Sequence, residues 1–457
     1  MGELRQLLDF TSSIAAEFLE SLPQRPVLPA LDVDELRRAL GGPLPEETTS
    51  PIEVIAELAR AADPGIAGMP SGRWFGFVLG GSLPAALAAD WLTSAWDQNA
   101  GLFAPAPAAA IVEEVAGEWM RELFGLPDGV SFGFVTGCQM AHVTCLAAAR
   151  HHVLAAHGWD VERDGLFGAP RISVVTGAQR HVTIDRALRF LGFGAAAVDV
   201  IPADEQGRIV PEALRSALEQ TDGPTIICVQ AGEVNTGAFD ALDEAADAAA
   251  QHGAWLHVDA AFGIWAAAEP SLRHLLTGVE RADSWAADAH KWLNVPYDSG
   301  LAFCRHPDAH RKAMGAQAAY LIQAEEHGPR DQLDWNPEFS RRARGFPVYA
   351  ALRSLGRSGV AKLVEQGCAH ARRFGEELAL LPGCEVLNDV VLNQVLFRFG
   401  SDEETEAVLA AVQASGEAWM SGTIWQGRRA IRISVSNWST TDDDVSRTLA
   451  AFAAAVP

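Results

Sequence analysis

Lysine is scarce in this chain, and one lysine lies where an amine could do chemistry. Of the 35 basic residues only Lys291, Lys312 and Lys362 are lysines. Arginine keeps its proton, so a nucleophilic amine must come from these three or from the N-terminus. Lys291 lies in DAHKW, after a predicted strand and among apolar neighbours. Desolvation there would lower the pKa of the amine and make it nucleophilic, whereas a surface lysine would contribute only its charge. The sequence predicts a functional Lys291.

A carboxylate ends a second apolar strand. Asp259 closes AWLHVD and is followed by Ala260 and Ala261. Such a carboxylate is costly unless it meets a cation, although an aspartate there can also cap a helix. Lys291 follows 32 positions later, enough for one crossover to a neighbouring strand. The two residues suit a pyridine cofactor, in which aspartate keeps the ring nitrogen protonated and lysine holds the aldehyde as a Schiff base.

Two further segments could complete such a site. In FGFVTGCQMAH a strand, a tight turn and a helix follow one another, and the turn contains Thr136, Gly137, Cys138 and Gln139. A hydroxyl and consecutive N–H groups at a helix N-terminus are typical of an anion site, although many strand–helix turns look alike. His181 opens a helix after the strand RISVV. A single histidine is often a cap or a core residue, but at this strand end it could stack on an aromatic ring.

Positioning these residues requires strands whose ends meet at one edge. Short apolar runs alternate with amphipathic helices from residue 131 onward, and the predicted strands are 131–135, 171–175, 197–201, 225–230, 254–259, 283–287 and 300–304. Such alternation predicts an α/β fold with a mostly parallel central sheet and helices on both faces. Ligands of such sheets lie beyond the carboxyl ends of the strands.

The remainder of the chain predicts two smaller units. The first part is helical with proline-rich joints, and the last part combines long helices with strand-like segments at 391–399 and 429–435. We therefore expect an N-terminal helical segment (1–72), a large cofactor-binding domain (73–340) and a smaller C-terminal α+β domain (341–457).

Composition limits the class of protein. Hydrophobic residues at 49% and charged residues at 21% are typical of a folded chain. The net charge of −24 argues against nucleic-acid and anionic-membrane partners. The six cysteines lack C-x-x-C spacing, so we expect no metal site, no disulfide framework and a reducing compartment. The apolar stretch 260–268 is too short to span a bilayer, and the N-terminus has the pattern of an amphipathic helix. A cytoplasmic protein is expected.

The segments HVDAAF, DAHKWLN and AGEVNTGAFD, in this order after the turn and the histidine, resemble the group II pyridoxal-phosphate-dependent amino-acid decarboxylases of fold type I. The resemblance runs from about residue 73 to the C-terminus. It implies a fold type I homodimer that binds pyridoxal 5′-phosphate and decarboxylates an L-amino acid to an amine and CO₂. It also implies that Lys291 is the Schiff-base lysine, that Asp259 faces the ring nitrogen and that His181 stacks on the ring and handles the substrate carboxylate or a proton.

Further contacts follow from the same resemblance. Thr136, Gly137, Cys138 and Gln139 match the phosphate turn. Ala261 would pack on the opposite face of the ring, His290 would lie beside the lysine, and Asn235 belongs to a loop near the cofactor.

The resemblance also implies substrate contacts. Trp74, Phe75 and Phe77 match a region that lines the substrate pocket, where they could stack on an aromatic side chain, although ordinary core is an equal alternative. Arg432 could hold a substrate carboxylate, and Arg429 competes for that role.

Two features depart from the family. The phosphate turn reads TGCQMA and lacks one hydroxyl, and the family's mobile loop normally carries a tyrosine that protonates Cα after CO₂ leaves. Tyr297, Tyr320 and Tyr349 all lie outside 324–340, and Gln332 aligns with that tyrosine. His181, His327 or a tyrosine from elsewhere must then give the proton. Otherwise the reaction becomes oxidative decarboxylation to an aldehyde, transamination or Cα–Cβ cleavage. A catalytically silent protein of this fold is a further possibility, but it would not need Lys291, Asp259 and His181.

Overall fold

The computed structural model describes residues 2–29, 32–316 and 328–456. Within these ranges the α-helices are Gly2–Ser21 (α1), Val33–Leu40 (α2), Pro51–Ala62 (α3), Pro84–Trp96 (α4), Pro107–Phe124 (α5), Cys138–Ala155 (α6), Val161–Asp164 (α7), Val182–Phe190 (α8), Pro211–Leu218 (α9), Leu242–His252 (α10), Pro307–Met314 (α11), Gly345–Leu378 (α12), Asp402–Ser415 (α13) and Asp442–Ala455 (α14). The strands are Ser131–Val135 (β1), Ser173–Gly177 (β2), Val198–Ile201 (β3), Thr225–Gln230 (β4), Trp255–Asp259 (β5), Ser284–Asp288 (β6), Gly300–Cys304 (β7), Cys384–Val386 (β8), Gln394–Phe399 (β9), Ser421–Trp425 (β10) and Arg428–Ser434 (β11).

A seven-stranded sheet forms the centre of the described chain, in the order β1-β7-β6-β5-β4-β2-β3. Strands β2 to β6 pair in parallel, whereas β7 is antiparallel to both of its neighbours, β1 and β6. The carboxyl ends of β1, β2, β4, β5 and β6 therefore meet at one edge. The predicted α/β fold with a mostly parallel sheet is confirmed, but the antiparallel β7 was not predicted.

The strands of this sheet are apolar because both of its faces are covered. Every residue of β1, β4, β5, β6 and β7 is buried. Proline occupies the first turn of α3, α4, α5, α9 and α11, where its missing N–H breaks no helical hydrogen bond. These five helices therefore begin at defined positions.

The C-terminal part contains a second, antiparallel sheet in the order β10-β11-β9-β8. Its core includes Phe374 of α12, Phe397 and Phe452, and Phe75 joins the same core from far upstream. Helix α14 begins at a capping box of Thr441 and Asp444. Strands β8 and β10 were not predicted. The division of the chain at residues 73 and 341 stays a prediction.

Two properties of the described residues relate to the predictions about membrane spans and disulfides. None of the helices in these ranges combines the length and apolarity needed to cross a membrane. The six cysteines are free thiols, and all but Cys384 are buried.

Candidate active site

A cavity of about 260 Å³ lies at the edge where the parallel strands end. It is lined by Gly137, Cys138, Gln139, His181, Thr183, Gln230, Gly232, Val234, Asp259, Ala261, Phe262, Asp288, His290 and Lys291. Eight residues that the sequence singled out are thus brought together, although they come from four separate segments of the chain.

Close backbone packing forms the walls of this cavity. A Cβ on Gly300, at the start of β7, would lie 2.4 Å from the backbone of Gly137, so only glycine lets the turn rest on this strand. A Cβ on Gly80 would lie 1.9 Å from the carbonyl oxygen of Lys291. These contacts fix the turn before α6 and the loop that carries the lysine.

The amine of Lys291 lies beside a second strand-end carboxylate, which was not predicted. Nζ is 3.1 Å from Oδ2 of Asp288 and 5.8 Å from the ring centre of Phe262. Burial lowers the pKa of Lys291, but the carboxylates of Asp288 and Asp259 outweigh burial, and the net pKa is raised above its ordinary value. Desolvation acts on this lysine as expected, but the expected net lowering of its pKa is wrong.

Asp259 ends β5 and is almost completely buried. Its Oδ1 accepts the backbone N–H of Ala261 at 3.2 Å, and its Oδ2 lies 3.4 Å from Nε2 of His142. Burial would raise the pKa of Asp259, but His142, His181 and Lys291 outweigh it and hold the pKa well below its ordinary value. Asp259 is therefore ionised at neutral pH and faces the cavity as an anion.

His181 is the N-cap of α8 and presents its ring to the cavity. Its Nδ1 lies 2.7 Å from Oγ1 of Thr183 and accepts the backbone N–H of Thr183 at 3.4 Å. Burial lowers the pKa of His181. The ring is therefore neutral at pH 7, and because Nδ1 accepts, the proton is on Nε2.

The turn before α6 already holds an anion. The backbone N–H of Cys138 donates to Oδ1 of Asp288 at 2.6 Å. Nε2 of His290 is 3.5 Å from the same oxygen, and its Nδ1 accepts the N–H of Ser299 at 3.2 Å. The predicted phosphate turn is thus built as an anion site, with a carboxylate of the chain itself as its occupant.

Two predicted cofactor residues do not line the cavity. Thr136 precedes the turn and is half-buried. Asn235 donates from its backbone N–H and its side-chain amide to Glu233, at 2.7 and 2.9 Å, and accepts from Oγ1 of Thr423 at 3.0 Å. Asn235 thus connects the loop after β4 to β10.

The predicted substrate residues lie mostly in packing contacts. Trp74 stacks on Trp419 with ring centres 4.3 Å apart, and Phe75 packs edge-on against Phe374 at 5.1 Å. Phe77 also stacks on Trp419, at 5.6 Å, but about half of its surface remains exposed. None of the three lines the cavity, so ordinary core describes the observed places of Trp74 and Phe75.

Arg432 on β11 is buried next to the cavity wall. It donates to the carbonyl oxygen of Val234 at 3.0 Å, while its Nε is buried without a hydrogen-bond partner among the described residues. Arg429 instead pairs with Glu406 at 2.7 Å and is half-exposed. Of the two arginines only Arg432 adjoins a residue that lines the cavity.

The candidates for the residue that donates a proton to Cα do not all lie near the cavity. Gln332 is completely buried, and Tyr349 stacks on Trp119, outside the cavity. Tyr297 packs against His290 with ring centres 4.4 Å apart and the ring planes tilted by 32°. Burial, followed by the charge of Asp288, raises the pKa of Tyr297, so its phenol keeps its proton. Tyr320 and His327 lie outside the described residues.

Sequence reasoning missed several residues of this site. Asp288 ends β6 as Asp259 ends β5, so the same argument about strand-end carboxylates would have found it. His142 lies one helical turn after Cys138 and therefore on the same face of α6. Sγ of Cys138, a ring nitrogen of His142 and an oxygen of Asp259 lie within 4.8 Å of one another, a donor set that could hold a metal ion and that the absence of C-x-x-C spacing did not exclude.

Comparisons with known proteins give the family. Residues 34–400 match the pyridoxal-dependent decarboxylase conserved domain. An aromatic-L-amino-acid decarboxylase of Bacillus atrophaeus is 28% identical over 458 residues, covering 97% of this chain and 93% of that protein. Tryptophan decarboxylase 1 of Oryza sativa subsp. japonica is 28% identical over 473 residues, covering 95% and 89%. A crystal structure of Oryza sativa TDC with PLP and tryptamine has the same fold, with a TM-score of 0.92, 24% identity and coverage of 100% and 99%.

The donor set fits the cofactor that these matches imply. An amine, an ionised carboxylate and a flat imidazole line one cavity, and the N–H groups of a helix N-terminus lie at its side. These are the groups that an aldehyde, a pyridinium nitrogen, an aromatic ring and a phosphate require. The chain belongs to the pyridoxal-dependent decarboxylase family. The predictions of fold type I, of pyridoxal phosphate as the cofactor and of a carboxy-lyase that decarboxylates an amino acid are confirmed.

Proposed function

We propose that Lys291, Asp259 and His181 are the catalytic residues of this amino-acid decarboxylase. The observation that carries the proposal is that all three side chains line a single cavity. When bound there, pyridoxal phosphate supplies an aldehyde that combines with amines and a ring that accepts the electron pair released with CO₂.

Lys291 provides the amine that joins the cofactor. Its raised pKa means that the amine is protonated at neutral pH and must lose a proton before it reacts. Oδ2 of Asp288, 3.1 Å away, favours the ammonium form until that proton is lost. Asp259 is ionised and would hold a proton on the ring nitrogen of a bound cofactor. His181 would lie against the ring, and its Nε2–H would be available to the substrate carboxylate or to Cα.

The other cofactor contacts follow the same arrangement. Gly137, Cys138 and Gln139 would hold the phosphate through the N-terminus of α6, with Thr136 just after β1. Ala261 would pack against the ring from the side opposite His181. His290 lies beside the lysine, and Asn235 contributes through the loop whose residues Gly232 and Val234 line the cavity.

The proposed substrate is an aromatic L-amino acid. The named relatives, an aromatic-L-amino-acid decarboxylase and a tryptophan decarboxylase, support this class. Phe262 and Val234 give the cavity apolar walls, and Phe77 exposes its ring to an incoming side chain. Arg432 is the candidate for the substrate carboxylate, because its buried Nε has no partner among the described residues.

One observation favours a second candidate function. Gln332, at the position of the family's loop tyrosine, is completely buried. If His181 gives no proton to Cα, decarboxylation would end with oxygen, water and release of an aldehyde, ammonia and hydrogen peroxide. The same cofactor also supports transamination and Cα–Cβ cleavage.

Because the chain has only three lysines, each can be replaced in turn to test the role of Lys291. Purified protein with pyridoxal phosphate is expected to absorb visible light, Lys291→Ala to lose this band, and Lys312→Ala and Lys362→Ala, which alter exposed lysines, to keep it. A colourless wild-type protein, or a band retained in Lys291→Ala, would refute the proposed role of Lys291.

A panel of amino acids assayed for CO₂, hydrogen peroxide and keto acid then separates the reactions. CO₂ without peroxide is expected, peroxide in step with CO₂ would indicate the oxidative route, and keto acid without CO₂ would contradict decarboxylation.

We also propose a cytoplasmic homodimer. Trp91, Leu92 and Trp96 of α4 are each 44–48% exposed, and such an apolar surface is typical of an interface. Free thiols in all six cysteines agree with a reducing compartment. Sedimentation should give twice the mass of the chain, and a monomer at micromolar concentration would contradict the dimer.

A further inference from the structure

A row of buried polar side chains begins at Asp259. Nε2 of His142 is 3.4 Å from Oδ2 of Asp259, and Nδ1 of His142 is 2.9 Å from Nε2 of His257. Nδ1 of His257 is in turn 2.9 Å from Oγ of Ser284. His142, His257 and Ser284 have no exposed surface, and of the four residues only Asp259 lines the cavity.

We propose that His142, held in one tautomer by His257 and Ser284, is a positioning residue that donates its Nε2–H to Asp259 and keeps this carboxylate charged opposite the ring nitrogen of the cofactor. The inference rests on the proposed role of Asp259 and adds three residues to it.

The direction of the hydrogen bonds follows from counting protons. Burial, and secondly the proximity of His142, lowers the pKa of His257 to about 3, so this ring is neutral and carries a single N–H. If that proton were on Nδ1, Nε2 of His257 would accept from Nδ1 of His142. A neutral His142 would then turn a lone pair towards the carboxylate of Asp259, which is repulsive. With the proton on Nε2, His257 donates to His142, and His142 donates to Asp259.

A tryptophan at the end of the row completes this arrangement. Nε1 of Trp255, which can only donate, lies 2.9 Å from Oγ of Ser284. The hydroxyl of Ser284 accepts from Trp255 and donates to Nδ1 of His257. Every contact in the row then has one donor and one acceptor, and the Nε2–H of His142 is shared between Oδ2 of Asp259 and Sγ of Cys138, each 3.4 Å away.

The hydrogen bond from His142 affects the charge of Asp259. A hydrogen bond donated to a carboxylate favours its ionised form and lowers its pKa. Oδ1 already accepts from Ala261, and His142 serves Oδ2. Without His142 the proton affinity of Asp259 would be higher, so Asp259 would draw the proton away from the ring nitrogen and would be a weaker ion-pair partner for a pyridinium ring.

Two substitutions of His142 and one matched control test the inference. His142→Leu removes the donor but keeps the volume, and His142→Gln keeps an amide N–H near the position of Nε2. His310→Leu is the control, because His310 is also a buried imidazole with two partners, Ser131 and the carbonyl of Trp335, and does not line the cavity. Thermal unfolding first checks that each variant is folded.

Cofactor binding gives the decisive readout. Apoprotein is titrated with pyridoxal phosphate and with its deaza analogue, in which CH replaces the ring nitrogen, and bound cofactor is followed by absorbance. His142→Leu is expected to weaken the affinity for pyridoxal phosphate by about tenfold or more, as is typical when a supporting hydrogen-bond partner is lost. The affinity for the deaza analogue should hardly change, because Asp259 has no proton to hold there. His142→Gln should recover most of the loss, and His310→Leu should show none.

The outcomes separate this inference from the proposed function. Equal losses for the two cofactors would show that His142 only supports the structure, and no loss for either would also overturn the inference. If wild-type protein bound both cofactors equally, the proposed role of Asp259 itself would fail. A wild type that prefers pyridoxal phosphate together with an unaffected His142→Leu would overturn only the role of His142.

Discussion

Asp288 accepts the backbone N–H of Cys138 at 2.6 Å, so a carboxylate already occupies the first amide of the turn that is expected to bind phosphate. The same side chain contacts the amine of Lys291 and has almost no exposed surface. Two anions in so small a space repel each other strongly, because the surroundings screen them poorly. Asp288 would therefore oppose a phosphate bound at this turn, while it favours the ammonium form of Lys291.

Asp288→Asn should make cofactor capture easier. The amide keeps a hydrogen-bond acceptor for Cys138 but removes the negative charge, so phosphate binds with less repulsion. The pKa of Lys291 should fall, because the carboxylate that favours its charged form is gone. We expect a tighter affinity for pyridoxal phosphate and a capture rate whose midpoint moves to lower pH, measured by stopped-flow absorbance.

A carboxylate elsewhere in the same loop provides the control. Asp298 pairs with Arg344 at 2.7 Å, and Asp298→Asn should leave the midpoint of capture unchanged. An unchanged midpoint in Asp288→Asn would show that Asp288 does not favour the ammonium form of Lys291, and a weaker affinity would show that Asp288 assists phosphate binding.

Glu113 and Arg341 form an ion pair in which neither side chain is exposed. Their atoms are 2.7 Å apart, and Arg341 also donates to the carbonyl of Ala100 at 2.9 Å. Glu113→Ala leaves a buried guanidinium without its partner, so the free energy of unfolding should fall by about 3–5 kcal/mol. Replacing both residues by apolar ones, as in Glu113→Leu with Arg341→Met, should restore much of this loss.

Urea unfolding measures both effects. The pair of Glu122 and Arg357, 2.7 Å apart but half-exposed, is the control, and its loss should lower the free energy of unfolding by only about 0–1 kcal/mol. A double variant less stable than Glu113→Ala would contradict this account.

The parts of the site that follow strand ends were predictable from the sequence. Lys291, Asp259 and His181 each come directly after a strand-like run, and parallel strands bring such positions together whatever their separation along the chain. The bounds of β1, β4 and β7 were predicted to the residue, because Gly, Pro or a polar residue flanks each apolar run.

Contacts between distant segments could not be predicted in this way. The aromatic pattern of Trp74 and Phe75 is the same for core and for a substrate pocket, and only the tertiary structure pairs them with Trp419 and Phe374. The direction of β7 escaped prediction because strand periodicity is the same in both directions. The net pKa of Lys291 depends on Asp288, whose side-chain orientation no spacing gives.

His310 should make the protein sensitive to acid. Burial, and secondly the charge of Arg330, lowers its pKa to about 3, while an unfolded histidine has a pKa of about 6.5. The unfolded chain therefore binds a proton that the folded chain does not, and stability is lost as pH falls from 6.5 towards 3. At pH 5 this site alone should lower the free energy of unfolding by about 2 kcal/mol.

His310→Gln isolates this contribution. The amide can still bond to Ser131 or to the carbonyl of Trp335, but it does not titrate. Between pH 7 and pH 5 the variant should lose less stability in urea than the wild type does. Parallel losses for the two proteins would mean that His310 titrates normally in the folded state.

Gln332 is predicted from the sequence to lie near the position of the family's loop tyrosine, yet its surroundings leave no room for a catalytic phenol. Its amide donates to the carbonyl of Ala110 at 3.1 Å, and its backbone carbonyl accepts from Asn336 at 2.8 Å. Gln332→Tyr must fit a larger ring into this closed space, which should lower the free energy of unfolding by about 1–3 kcal/mol. Because the ring stays against α5, the ratio of CO₂ to hydrogen peroxide should not change. Gln332→Met, similar in volume, separates the loss of the amide from overpacking, and both quantities are measured on all three proteins. A fall in peroxide with Gln332→Tyr alone would mean that this segment reaches the cavity during turnover.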